Sequence, residues 1–501
     1  MNILRNGLII NKHRLSRTMT SVASTFKYQP PVDREMRELD RSFFVTNISL
    51  CVVKFPEPKH INTFAKQYRD AILRVPRIPH VVKLDQKLEE PQSTGDNTNK
   101  NKKLKTIACD NGIVTKGVLL NDSIKSLEDV NDKLSKEALE FLKETGATIL
   151  PYEYVMDYNF WKAEEILRSV LPEEFLDEIP TGFTITGHIA HLNLRKEFKP
   201  YDTLIGQVIL DKNQKIECVV DKVSSIATQF RTFPMKVIAG KTDNLEVEQK
   251  ESNCTFKFDF SKVYWNSRLH TEHDRLVSKY FKPGEVVCDV FAGVGPFAVP
   301  AGKKEVIVLA NDLNPESYKY LQENIKLNKV EPIVKPFNLD GAEFIRESIN
   351  LLRDWRSEDD KILLPIKRKK HEKRIENAKD ANSNKFKEIK IPFQVNHYVM
   401  NLPDSSIDFL GNFNGILKSS DCSDMGMPWI HIHCFEKYDN DETPTDEEIH
   451  KRVYSRILKS MNTTQEILPF ENLQFHLVRK VSPTKPMFCV SLQLPEPIAR
   501  N

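Results

Sequence analysis

The 501-residue chain contains no run approaching the about 20 apolar residues that a helix needs to cross a bilayer, so a soluble protein with no membrane partner is expected. It has no CxxC pair. Cys51, Cys109, Cys218, Cys254, Cys288, Cys422, Cys434 and Cys489 are scattered, which suits reduced intracellular thiols and argues against a disulfide framework. It has almost no excess of either charge: 73 basic residues face 70 acidic ones, so affinity for nucleic acid has to come from local clustering. No Walker loop, serine-nucleophile motif or zinc-ligand spacing occurs. His431, His433 and Cys434, with only Cys422 nearby, make an incomplete tetrahedral set, and no metal is expected. The last absence is local. No acidic residue precedes Asp33, whereas Arg5, Lys12, Arg14, Arg17 and Lys27 are interleaved with Leu, Ile, Ser and Thr. Residues 1–27 therefore read as a mitochondrial targeting segment, with a frayed basic terminus as the plain alternative. Met19 offers a second start, so the expected locations are the mitochondrial matrix, cytoplasm and nucleus.

What is present divides into regions, and the length allows two or three cores. Residues 28–146 form an N-terminal domain that contains a polar linker at 86–105. It closes on an amphipathic helix from Ser126, with Leu127, Val130, Leu134, Ala138, Phe141 and Leu142 on one face and Gly146 as the stop. Residues 147–255 mix helical FWKAEEILRSVL with strand-like FTITGHIAHLNL and IECVVDKV, a small α+β region. From 256 to 501 apolar strands such as EVVCDVF and EVIVLAND alternate with helices such as PESYKYLQENIKLN. Such alternation predicts an α/β, doubly wound, Rossmann-like domain. The stretch 353–390 interrupts it as an insertion, whose run Lys367, Arg368, Lys369, Lys370, Lys373 and Arg374 suits phosphate contact, nuclear import or plain solvated surface.

The strand Val286–Phe291 runs into Gly293 and Gly295, a strand-to-helix turn where missing side chains let backbone approach a ligand. The GxGxxA spacing also fits NAD or FAD. Asp289, inside the strand, would repel a pyrophosphate and attract the cationic methionine end of S-adenosylmethionine. Asp312, with Leu313 beside it, ends the next strand and can accept both ribose hydroxyls, a role common to either cofactor. Asp340 and Gly341 follow the third strand, where they can hold an adenine edge. Asn401, Leu402, Pro403 and Asp404 follow the fourth, in a loop suited to a planar nitrogen nucleophile, although an ordinary turn cap explains Asn401 as well.

Five blocks in order, KVYWNSRLHTEH, DVFAGVGPFAVP, NDLNPESYKYLQENIKLN, NLDGAEF and VMNLP, resemble the tRNA (guanine37-N1)-methyltransferase family. The upstream LPEEFLDEIPTGFTITGHIAHLNLRKEFKPYDTLIGQVILDKN and FRTF extend the resemblance over roughly residues 150–500. It implies a class I methyltransferase domain over 256–501, an RNA-binding role for 147–255, S-adenosylmethionine as cofactor and tRNA as substrate; nothing in the sequence demands an oligomer, and a monomer is expected. The target would be N1 of guanosine 37, just 3′ of the anticodon, a modification that supports the reading frame. Guanine N1 carries a proton, so a general base is needed. The resemblance assigns Glu272 to that task, against a surface helix glutamate, and burial is expected to raise its pKa. It assigns Arg231 to the charge developing on O6, against a generic phosphate contact. Tyr264 and Pro403 would orient the flipped base, with Asn401 near the nucleophile; for Tyr264 a core aromatic serves equally. His273 falls at a cofactor-side position, with Arg268 close by. The alternatives are a wybutosine-pathway aminocarboxypropyltransferase using the same cofactor, a non-catalytic tRNA-binding protein on this fold, and an NAD-linked oxidoreductase.

Overall fold

The computed structural model describes residues 26–84, 115–223, 234–241, 245–366, 386–419 and 422–501. Residues 1–25 of the targeting segment, the linker 86–105, Arg231 and the basic run at 367–374 lie outside the described residues. The chain divides into two compact units, Met1–Ile179 and Pro180–Asn501.

The first unit is built on an antiparallel sheet in the order β2-β3-β1-β4, from β1 (Thr46–Lys54), β2 (Val81–Lys83), β3 (Lys116–Leu119) and β4 (Thr148–Met156). Helix α1 (Lys59–Gln67) contributes Ile61 and Phe64 to a core with Cys51, Val53, Val118 and Leu120. The single helix expected from Ser126 is instead two, α2 (Asp129–Lys133) and α3 (Lys136–Glu144). Ser135 is extended between them, and its hydroxyl accepts from the Ala138 amide as an N-cap, so the chain restarts its helix there. The boundary expected at 146/147 also shifts. β4 pairs with β1 along its whole length, from Thr46 opposite Met156 to Lys54 opposite Thr148, and helix α4 (Ala163–Val170) follows within the same unit. Trp161, fully buried, ties this stretch to the first strand's approach by donating to the Phe44 carbonyl at 3.0 Å.

The second unit opens with a four-stranded sheet, β5 (Thr184–Thr186), β6 (Ile189–Leu192), β7 (Cys218–Lys222) and β8 (Met235–Gly240), backed by α5 (Asp202–Lys212). A hairpin follows, β9 (Glu246–Glu251) with β10 (Cys254–Asp259), and then α6 (His270–Lys279). The main sheet comprises β11 (Val286–Asp289), β12 (Ile307–Asn311), β13 (Val334–Phe337), β16 (His397–Met400), β17 (Trp429–Phe435), β18 (Gln474–Ser482) and β19 (Lys485–Gln493), in the order β13-β12-β11-β16-β17-β19-β18. Its strands β11, β12, β13, β16 and β17 are parallel, with α7 (Ala298–Lys303), α8 (Pro315–Asn328), α9 (Gly341–Glu358) and α10 (Asp446–Ser460) between or beside them. β19 enters antiparallel between β17 and β18. This is the doubly wound, Rossmann-like α/β fold expected. The insertion is shorter than its sequence limits, because 353–358 complete α9 and an antiparallel hairpin, β14 (Lys361–Pro365) with β15 (Phe386–Lys390), carries its described ends. The strand order reverses between β11 and β16, and ligands collect at the carboxyl ends of strands at such a switch point.

Candidate functional site

At that switch point a cavity of about 830 Å³ opens, a size that accommodates a nucleoside cofactor beside a nucleobase. Gly293, Asp312, Leu313, Asp340, Gly341, Asn401, Tyr264 and Pro403, all singled out from sequence, line it. The glycine turn after β11 needs its glycines: Gly293 has φ +55° and Gly295 φ +98°, and a Cβ on Gly295 would lie 2.9 Å from Leu321 and Val299. Asp312 is locked from two sides, Oδ2 accepting from the Gly293 amide at 2.8 Å and Oδ1 from the Asn314 amide at 3.0 Å. Each oxygen keeps a lone pair for a ribose hydroxyl. Asp340 caps α9 by accepting from the Ala342 amide at 2.8 Å, and at Gly341 a Cβ would meet the Phe291 ring at 2.7 Å. That ring packs edge-on against Phe409, 5.0 Å between centroids, leaving a flat apolar slot beside the two carboxylates. Asn401 lines the cavity, and its Oδ1 is buried without a hydrogen-bond partner.

Several contributors were not picked out from sequence. Asn311, fully buried, donates to the Val290 and Leu339 carbonyls and accepts from the Leu339 amide, fixing the ends of three strands together. Its only signal was its place before Asp312. Phe291, Ser317, His191, Lys222, Arg479 and Lys485 also line the cavity; the first three lie inside the quoted blocks, where glycines and carboxylates were the stronger signals, and Lys222, Arg479 and Lys485 lie in stretches that no motif marks.

Four residues expected in the site lie behind its wall. Gly295 shapes the turn without lining the cavity. His273 does not line the cavity: its Nδ1 meets Glu251 Oε1 at 2.5 Å, and the ring stands edge-on to Phe297 at 4.7 Å, so the structure places it in a buried hydrogen bond behind the wall. Asp289 is fully buried with neither carboxylate oxygen bonded, and burial, then the nearby Asp312 carboxylate, pushes its pKa from 3.8 up to about 8, with His433 opposing. Because the folded value is raised, stability is full below the ordinary carboxylate range and is lost as pH rises through the folded pKa. A decline in stability is therefore expected of the native chain between about pH 4 and about pH 8, and Asp289→Asn is expected to flatten it. Urea unfolding midpoints at both ends of that window check it; an undiminished slope in the variant would sink the assignment.

Glu272 is 3% exposed and sits beneath the cavity floor. Phe435 and Met487 face each other across β17 and β19 and line the cavity; His433 and Cys489, one same-face step further along those strands, flank Glu272. Arg275 grips the carboxylate with Nε to Oε2 at 2.6 Å and Nη2 to Oε1 at 2.7 Å, and His433 Nε2 lies 2.8 Å from Oε1. Burial alone would raise this carboxyl, but the bonds and charges of Arg275 and His433 outweigh it and hold the pKa below the usual range. The expected upward shift is therefore reversed. Glu272, His433 and Cys489 have ligand atoms within 4.8 Å of one another. The Arg275 guanidinium already occupies both carboxylate oxygens, which disfavours a second cation there.

An acidic wall for ribose and adenine and an open glycine turn fit S-adenosylmethionine, and with this sheet order they define a class I methyltransferase. The TRM5/TYW2 methyltransferase domain pattern matches residues 247–372, and the TYW2 N-terminal domain pattern matches 163–244. Over 480 residues the chain is 64% identical to the tRNA (guanine(37)-N(1))-methyltransferase of Saccharomyces cerevisiae, covering 95% of this chain and 96% of that one. The Candida albicans (strain WO-1) enzyme of the same name is 49% identical over 487 residues, with 94% and 98% covered. A solved complex of aTrm5 and tRNALeu shares the fold, with a TM-score of 0.51 at 17% identity over 89% of this chain and 99% of that one. The chain belongs to the tRNA (guanine(37)-N(1))-methyltransferase family.

Proposed function

We infer that this protein transfers a methyl group from S-adenosylmethionine to N1 of guanosine 37 in tRNA, a modification that supports the reading frame. The observation that carries the reading is the cavity that gathers Asp312, Asp340 and the Asn401–Asp404 loop at the strand ends of the switch point. The carboxylates suit a nucleoside cofactor, and the Asn401 amide, with both a donor and an acceptor, suits the guanine edge. Relatives named for this reaction align along nearly the whole chain, which favours it over aminocarboxypropyl transfer, a purely binding role or hydride transfer.

S-adenosylmethionine, when bound, supplies an electrophilic methyl carbon on a sulfonium. Asp312 and Asp340 hold its nucleoside, with Gly293, Leu313 and Gly341 giving it room. Tyr264, 41% exposed on the cavity rim, and Pro403 pack the extruded base. Pro403 is held in place because its carbonyl accepts from the Phe435 amide at 3.0 Å. The family resemblance assigns the N1 proton to Glu272, which a base in the cavity reaches only once the pairing with Arg275 and His433 opens, and the negative charge left on O6 to Arg231. The chain acts as a monomer. Its N-terminal composition supports a mitochondrial pool, with cytoplasmic and nuclear pools from a start at Met19; a single N-terminus in every cell fraction would end that part.

The test is nucleoside mass spectrometry of unmodified tRNA bearing guanosine 37 after incubation with the protein and S-adenosylmethionine. N1-methylguanosine at that position is expected. An aminocarboxypropyl product, or an unchanged nucleoside, would overturn the reading.

A further inference from the structure

The carboxylates Asp312 and Asp340 line the cavity from the ends of β12 and β13, whereas the cations Arg479 and Lys485 reach it from β18 and β19 on the other side of the switch point; Lys222, Arg268 and Asp404 line it as well. Among these cations Arg479 is set apart by how it gets there.

β18 and β19 pair Phe475 with Val490 and Leu477 with Phe488, a register in which the next facing pair would be Arg479 with Pro486. A bulge intervenes, so Arg479 pairs with Met487 instead. One extra residue in a strand flips the side chain after it to the opposite face of the sheet. Without the bulge, Arg479 would share the face of Leu477 and Phe488. With it, the guanidinium shares the face of Met487 and Phe435, which is the face that lines the cavity. A second irregularity between Lys480 and Ser482 completes the turn back to Lys485.

The hairpin tip that carries this arginine is anchored on both sides. The Tyr438 hydroxyl donates to the Pro483 carbonyl at 3.1 Å, and the Tyr438 amide donates to the Thr484 carbonyl at 3.1 Å. Lys485 Nζ lies 3.3 Å from Asp404 Oδ1, in the loop that also carries Asn401 and Pro403, and 4.1 Å from the Phe435 ring centroid. Lys485 is therefore neutralised in the cavity wall, whereas no carboxylate among the described residues pairs with Arg479. A half-buried guanidinium with no counter-charge, turned into a cavity by a register shift, is poised for an anion that arrives with a ligand. The nucleoside end of the cavity is acidic, so that anion belongs at the substrate end.

We propose that Arg479, aimed by the β18 bulge, receives a backbone phosphate of the extruded target nucleotide, and so positions the base over the Asn401–Asp404 loop. The assignment rests on tRNA being the substrate. In it Arg479 contributes charge and position, not chemistry on the base.

The test uses the full chain with Arg479→Ala and Arg479→Lys, read by tRNA binding against salt concentration, by methylation kinetics and by S-adenosylhomocysteine titration. Arg479→Ala is expected to weaken tRNA binding about tenfold and to lower the slope of log affinity against log salt by about 0.7 to 0.9, one phosphate contact. S-adenosylhomocysteine affinity stays unchanged, and Arg479→Lys recovers the salt slope but only part of the affinity, because a point charge replaces a fork. Unchanged tRNA affinity and slope in Arg479→Ala would overturn the proposal. So would a loss confined to S-adenosylhomocysteine, which would put the guanidinium on the cofactor. Native protein is run alongside: absence of N1-methylguanosine there counts against the proposed function, while normal product with an indifferent Arg479→Ala counts against this assignment alone.

Discussion

Glu272→Gln is expected to slow methyl transfer about a thousandfold in single-turnover assays, the scale on which a positioned general base contributes. The amide keeps the size of the side chain but cannot accept the N1 proton. Arg275 and His433 would then face an uncharged group in a buried setting, a loss of about 3 to 5 kcal/mol when one member of such a pair is removed. A lower unfolding temperature should therefore accompany the lost activity, with S-adenosylhomocysteine binding retained below that temperature. Normal transfer by the variant would remove Glu272 from the mechanism. The pH profile follows from the same contacts. Because Arg275 and His433 hold the folded pKa below its unfolded value, the ion pair's contribution to stability is present above the ordinary carboxylate range and is lost as pH falls through the folded pKa. Across neutral pH Glu272 is already ionised, so kcat/KM is expected to show no acid limb from this group above about pH 5. A limb near neutrality that disappears in Glu272→Gln would contradict the geometry of the pair.

Asp312→Ala is expected to weaken S-adenosylhomocysteine binding about a hundredfold, as the loss of two hydrogen bonds from a charged acceptor implies. The effect has two parts. The ribose loses its acceptors, and the Gly293 amide loses the bond that holds the glycine turn at 2.8 Å from Oδ2. Asp312→Asn, which keeps one acceptor, should fall between. Calorimetric titration measures both variants, and equal affinity in Asp312→Ala and native protein would remove the nucleoside end of the cavity from the site described here.

Much of the cofactor wall was legible in sequence because it is local. A turn with φ of +55° at Gly293 and +98° at Gly295 demands glycine, and the carboxylates that follow β12 and β13, Asp312 and Asp340, reach the same edge of a parallel sheet whatever the loops do. The strands HYVM, WIHIHCF and KPMFCVSLQ are buried on both faces over nearly their whole length, as strands in the covered middle of a sheet are. Domain limits were less legible. Residues 148–156 carry no mark that they belong with β1, since strand pairing over some hundred residues is decided by which faces bury together. The helix break at Ser135 was available as a cap residue inside an apolar period, but the period was the stronger signal.

What the sequence by itself determined is the alternation of strands and helices, the glycine turn, and the kind of side chain presented at each strand end; these depend on neighbours within a few residues. Only the tertiary structure decided the charge state of Glu272, the withdrawal of His273 and Asp289 behind the wall, and the entry of Arg479 into the cavity. Arg275 lies one helical turn from Glu272, but His433 lies 161 residues away, and burial next to both sets the sign of the shift. Likewise a one-residue register change between β18 and β19 settles which face Arg479 shares. Electrostatics and register depend on distance in space and on solvent exclusion, and neither is a property of a residue's neighbours along the chain.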